Sequence, residues 1–97
     1  MLQIKWTKKV LFSFADTLKF WNEHNQWYTY SIKLRKEVRK AEKSICRNPY
    51  LGSPSKIENI RYFLVFKHFS IYYRVKSDVI EILSFWDNRR NPEDLEM

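Results

Sequence analysis

Few side chains here suit covalent or metal chemistry, and many carry positive charge. There are two histidines, His24 and His68, and a single cysteine, Cys46. One thiol can build neither a disulfide framework nor a cysteine zinc site, and it fits a reducing compartment. Next to Ile45 near the end of a helical pattern, Cys46 reads as a buried structural thiol. Lysine and arginine number 18 against 11 acids, giving a net charge of +7 and a pI near 9.6. Three of those acids (Glu93, Asp94 and Glu96) fall in the last five residues, so the rest of the chain sets 18 cations against 8 acids. A body this basic attracts something acidic, either nucleic acid or an acidic protein. The plainer use of such charge is solubility.

Two groups of cations have telling positions. Lys36, Lys40, Lys43 and Arg47 recur at i, i+4, i+7 and i+11, which makes one stripe along a helix. Between Lys33 and Arg47 the balance is seven basic residues to two acidic. Such a stripe holds phosphates without sequence preference, or is simply a solvated helix face. Arg89 and Arg90 follow an apolar strand pattern directly, so they present two guanidiniums at the end of a sheet, suited to phosphate or to a protein surface.

The elements that must hold these groups follow from periodicity. Three apolar-aromatic segments, 60–67, 69–76 and 79–86, have the length of ordinary strands with short breaks between them. In the first, Tyr62, Leu64 and Phe66 alternate with Arg61, Phe63, Val65 and Lys67. In the second, Phe69, Ile71, Tyr73 and Val75 alternate with His68, Ser70, Tyr72, Arg74 and Lys76. A period of two sends these sets to opposite faces. The third segment is apolar on both sides, with Ile80 and Ile82 set against Val79, Leu83 and Phe85, as in a strand at the middle of a sheet. Turns at Lys67-His68 and Lys76-Ser77-Asp78 make the three an antiparallel meander.

Ahead of the meander, Leu2, Ile4 and Trp6 alternate as one short strand, and Thr7 is placed to cap a helix. Leu11, Phe14, Ala15, Leu18 and Trp21 form the apolar stripe of that first helix, which fades over 22–25. Asn25 is set to cap the second helix, over 27–47, which buries Tyr30, Leu34, Val38, Ala41 and Ile45. The loop 48–55 holds two of the three prolines and the only glycine, Gly52. A lone glycine implies a backbone conformation that other residues resist. The order β-α-α-β-β-β predicts one α+β domain over 1–97, with a helical hairpin packed on one face of a small, mainly antiparallel sheet. No segment approaches the roughly 20 apolar residues of a membrane span. Residues 1–10 lack the apolar core and cleavage site of a signal peptide, so a cytoplasmic location is expected.

In this arrangement the chain resembles the RelE/ParE family, the toxin halves of bacterial type II toxin–antitoxin pairs. The resemblance spans nearly the whole chain. It lies in the helical hairpin, the Asn48-Pro49-x-x-Gly52 loop, Ile60-Arg61 opening the next strand, and Ile71-x-Tyr73-Arg74-Val75. It continues through Ile82-Leu83 to Arg89-Arg90-Asn91-Pro92. No single motif is specific, but their order and spacing together are. The ending from Asp87 to Pro92 looks most like the ParE-like side of the family.

The resemblance implies two alternatives. RelE-like members cut messenger RNA on the ribosome, using basic residues on the sheet and an aromatic or histidine near the C-terminus. ParE-like members lack that set and poison DNA gyrase. Both are neutralised by an acidic antitoxin that folds against the toxin. Cleavage through the 2′-OH needs a base, an acid and cations for the phosphorane charge, with no metal or other cofactor. Arg61, Arg74, Lys67, Arg89 and Arg90 are the candidate cations, and His68 and Tyr72 the candidate acid–base groups. This selects Arg61, His68, Arg74 and Arg90 as candidate catalytic residues. Lys36, Lys40, Lys43, Tyr72 and Arg89 are candidate binding residues. Where RelE-like enzymes carry an arginine in the middle of the third strand, this chain has Ser70. No tyrosine or histidine follows Arg90. A protein target is therefore expected ahead of RNA cleavage, and a basic domain that binds RNA or an acidic partner without toxicity is the third reading. The plain alternatives are an exposed turn histidine at His68 and cross-strand pairing of Arg61 or Arg74 with Glu58 or Glu81.

Overall fold

The computed structural model describes residues 2–24, 28–66 and 68–95. The expected cap Asn25, the helix start at Trp27 and the cation Lys67 lie outside the described residues, as do the side chains of Trp21 and His24. Strand β1 (Gln3–Trp6) leads to helix α1 (Lys8–His24) and then α2 (Tyr28–Arg47). A two-residue strand β2 (Ser53–Pro54) precedes the meander of β3 (Arg61–Val65), β4 (Phe69–Lys76) and β5 (Val79–Asp87). A 3-10 turn at Pro92–Asp94 follows. The sheet order is β1-β5-β4-β3-β2, with β1 parallel to β5 and the other pairs antiparallel. The expected topology holds, with β2 added as a short bridge inside the loop after α2. The apolar third segment, β5, lies inside the sheet between β1 and β4; the helices cover one of its faces, while on the other Val79 and Glu81 are half-buried and Ser84 and Trp86 buried.

Strand β4 follows the predicted alternation: Phe69, Ile71 and Tyr73 are buried toward the helices, while Tyr72, Arg74 and Lys76 face away. Strand β5 departs from a strict period of two. Tyr73 pairs with Ile82 but Tyr72 pairs with Ser84, so Leu83 is an extra residue, a bulge that reverses the faces beyond it. Phe85 therefore joins Ile80 and Ile82 on the helix side instead of opposing them. It stacks on Phe69 at 5.1 Å and meets Phe14 of α1 at 4.9 Å. Trp86 consequently turns to the face away from the helices, opposite Ser70.

Helix α2 buries Leu34, Val38, Ala41 and Ile45 as its spacing requires, while Tyr30, at the start of that face, is only half-buried. Helix α1 is rotated from the predicted frame. Thr7 caps it, its Oγ1 accepting the Val10 N–H at 3.3 Å. Val10 is buried and Phe14 and Leu18 half-buried, but Leu11 is 53% exposed and Ala15 is also exposed. The rotation is set by Phe14, which stacks on Trp6 at 5.5 Å and meets the Phe85 ring at a tilt. Holding Phe14 inward brings in Val10, four residues earlier, and leaves Leu11 one helical step outside.

The loop after α2 is held by the sheet. Tyr73, fully buried, donates its hydroxyl proton to the Pro49 carbonyl and accepts the Gly52 N–H, both at 2.9 Å. Arg61 donates to the Gly52 carbonyl at 2.7 Å and lies over the Tyr50 ring at 5.3 Å. Gly52 has no positive φ, so its cause differs from the expected one. A Cβ there would sit 2.5 Å from the Tyr73 hydroxyl and 2.8 Å from the Tyr62 carbonyl oxygen. Space, not backbone conformation, requires glycine at this position.

Candidate functional site

Strand β5 outruns β1. The last residue of β1, Trp6, is paired with Ile82, after which Thr7 turns the chain away into α1. From Leu83 to Asp87 the side of β5 that faced β1 has no strand beside it. Helix α1 forms one wall of the resulting groove through Lys9, Ser13 and Thr17, and Arg89 and Arg90 form the other. The groove encloses about 690 Å³ and follows the free edge of β5, lined by Phe69 and Phe85 from the helix side and by Trp86 from the opposite face, all three largely buried. Among the described residues, the backbone of Ser84, Phe85 and Trp86 makes no hydrogen bond on that side.

The two adjacent arginines are not equivalent. Arg89 grips the Asp87 carboxylate with two charge-assisted hydrogen bonds, Nε to Oδ1 at 2.9 Å and Nη2 to Oδ2 at 2.8 Å. Its own N–H also reaches Oδ1, at 3.0 Å. These bonds hold the Asp87 carboxyl below its ordinary range and raise the Arg89 guanidinium. Arg90 has no acidic partner among the described residues. Its guanidinium lies 4.8 Å from the Trp86 ring centroid, an attraction of about 0.5–1 kcal/mol at an exposed site. Arg90 is therefore oriented by a ring, and its hydrogen-bond donors stay available for an anion.

The remaining sequence-selected groups are scattered. His68 is exposed at the β3–β4 turn, near enough to Asp87 for its charge to lower that carboxyl further. Arg74 shares the strand face of His68 but is six residues on, roughly 20 Å at strand rise. There it bonds Glu81 at 2.9 Å, the cross-strand pairing that the sequence offered as the plain alternative. Arg61 pairs with Tyr73, so it lies on the opposite face, toward the helices. Its contacts are with the loop carbonyls of Gly52 and Tyr50, not with Glu58. Tyr72 meets Tyr62 in a tilted ring contact at 5.7 Å, and burial pushes its hydroxyl pKa up. A phosphodiester reaction needs its base, acid and cations within hydrogen-bond reach of one phosphate. His68 and Arg90 share an end of the sheet, while Arg61 and Arg74 are elsewhere.

Lys36, Lys40 and Lys43 stand exposed on α2, on the side opposite its buried face. Lys40 reaches Glu37 at 3.3 Å. Among the described residues no cluster of three or more His, Cys, Asp or Glu is placed to hold a metal, and no helix is long and apolar enough to cross a membrane. Two features escaped the sequence reading. One is Asp87 as the clamp of Arg89, for which the i, i+2 spacing was the available signal. The other is the groove, which arises from unequal strand lengths and has no local signature.

Residues 4–92 match the family described as the ParE toxin of the type II toxin–antitoxin system parDE. No curated protein matches the chain by sequence. Among solved structures, the fold is similar to a chain of the chromosomal ParDE toxin–antitoxin system from P. aeruginosa. The TM-score is 0.72 and the identity 22%, covering 90% of this chain and 96% of that one. It is also similar to a chain of the YoeB–YefM complex from Staphylococcus aureus, with a TM-score of 0.57 and 22% identity over 88% of this chain and 94% of the other. The YoeB dimer from the same organism gives 0.59 and 19% identity, covering 86% and 92%.

Proposed function

Because the chain belongs to the ParE toxin family of the type II toxin–antitoxin system parDE, we propose that it stops bacterial growth by engaging a protein target, DNA gyrase, and not by cutting RNA. The observation that carries this reading is the dispersal of the candidate catalytic groups. Arg74 is committed to Glu81 and Arg61 to the loop after α2, while His68 stands roughly 20 Å along the strand from Arg74. What the groove does offer is a binding surface: an aromatic lining at the edge of β5, a locked Arg89 and an available Arg90. Such a surface suits a protein that presents carboxylates beside apolar side chains.

In this reading a cognate acidic antitoxin keeps the chain silent in the cytoplasm. An extended acidic and apolar segment of the antitoxin fills the groove, where the unpaired edge of β5 supplies backbone hydrogen bonds and Arg90 a charge. The test is to induce the protein in a bacterium, map new 5′ ends on an abundant message, and examine plasmid DNA for double-strand breaks. Intact messages with broken DNA are expected. Arg89→Ala/Arg90→Ala should abolish growth arrest. Cuts phased with codons would overturn the reading and return the chemistry to His68, Tyr72 and Arg74.

A further inference from the structure

Helix α2 has a second, unassigned surface. Its buried face is formed by Leu34, Val38, Ala41 and Ile45, and two residues beyond each of these, about 200° around the helix, stand Lys36, Lys40, Lys43 and Arg47. Lys33, Arg35 and Arg39 flank this line, all three exposed. The two acids of the segment are engaged: Glu37 pairs with Lys40, and Glu42 accepts the Trp6 indole N–H at 3.0 Å. Lys33, Arg35, Lys36, Arg39, Lys43 and Arg47 make no ion pair with any described residue. Cations at i, i+4 repel one another, so a helix face serving only solubility gains nothing from aligning them without acids between. Arg35, Lys36 and Arg39 also border a shallow hollow of about 200 Å³ with Ile32, large enough for a phosphate group.

We infer that the exposed face of α2 binds the sugar-phosphate backbone of a nucleic-acid duplex, independently of base sequence and of the groove beside β5. The run from Lys33 to Arg47 covers roughly 21 Å of helix, or about six base pairs of duplex. Ile32 is the one large apolar residue exposed on this helix among the described residues, too little to anchor in a membrane or to form the dry centre of a protein interface. No aromatic residue occurs from 31 to 47, so the face has no platform on which unpaired bases would stack. Bonds to phosphate alone remain, and they fit DNA and RNA duplexes alike.

The test uses the purified full chain with a mixed-sequence duplex of about 20 base pairs, made as DNA and as RNA, and with the DNA single strand. Binding is followed as salt is raised. At least one duplex should bind more tightly than the single strand, with affinity falling steeply with salt; which duplex binds identifies the source of the phosphates. Lys36→Gln/Lys40→Gln/Lys43→Gln should lower duplex affinity at least tenfold at low salt. It should also reduce the salt slope by about 3, close to one unit for each phosphate that is no longer neutralised. The melting temperature of that variant should stay level or rise, since like charges are removed. Arg89→Ala/Arg90→Ala should bind the duplex as the unmodified chain does. Tighter binding of the single strand, or an unchanged slope in the triple variant, would overturn the inference. Equal loss on changing Arg89 and Arg90 would overturn it as well.

Discussion

Tyr73→Phe tests how the loop after α2 is held, because it removes one oxygen atom and leaves the ring in the core. That oxygen accepts the Gly52 N–H and donates to the Pro49 carbonyl, each at 2.9 Å. Gly52 is buried, and its N–H has no second acceptor among the described residues. A buried donor left unsatisfied costs about 1–3 kcal/mol, and the broken bond to Pro49 about 1 kcal/mol more. The expected loss is about 2–4 kcal/mol, a fall in melting midpoint on the order of 10–25 °C for a domain near 100 residues. Urea unfolding should show a lower midpoint with an unchanged slope. Arg61→Ala should also destabilise, since it frees the Gly52 carbonyl, and the double variant should fall short of additivity because both side chains hold the same residue. A loss below about 0.5 kcal/mol for Tyr73→Phe, outside the range of an unsatisfied buried donor, would refute the clasp. A fully stable Arg61→Ala would mean that Arg61 has no structural duty in the loop.

Three further outcomes follow from the same geometry. Gly52→Ala should destabilise by about 1–3 kcal/mol in thermal unfolding, and by less in a Tyr73→Phe background, where the hydroxyl 2.5 Å from the new Cβ is absent. Asp87 has a folded carboxyl pKa below its ordinary 3.8, so its contribution to stability is present above that value and is lost as pH falls through the folded one. Asp87→Asn should therefore be less stable than the unmodified chain near pH 6 in urea titrations, with the gap closing under acid. Val10→Ala should cost about 1–2 kcal/mol, whereas Leu11→Ser should stay within about 0.5 kcal/mol in the same assay, because Val10 is the buried one of the pair.

What the sequence made legible was whatever depends on periodicity over many residues. The buried face of α2 and the alternation of β4 are repeated signals, each position reinforcing the next. The position of β5 inside the sheet was legible from its apolar run, but the expected cover on both faces is incomplete, since Val79 and Glu81 on the side away from the helices are only half-buried. The bulge at Leu83 was not, because one inserted residue is decided by pairing with β4 and leaves no mark in β5 itself. The frame of α1 was misjudged by one step: Val10 and Leu11 are equally apolar, and the choice between them is made by Phe14 wedged between Trp6 and Phe85. A lone glycine marks position 52 in the sequence, but its cause is a close approach from a residue 21 positions later, which is invisible locally. Among the candidate site residues, Arg89 and Arg90 were legible as a pair, but not the difference between their surroundings. That difference depends on which one Asp87 can reach in a bidentate geometry.

The most direct test of the proposed target is DNA supercoiling by purified gyrase with this chain added. Inhibition or accumulation of cleaved DNA is expected, relieved when Arg90 alone is changed to alanine. Gyrase working undisturbed, beside messages cut on ribosomes by the same preparation, would contradict it.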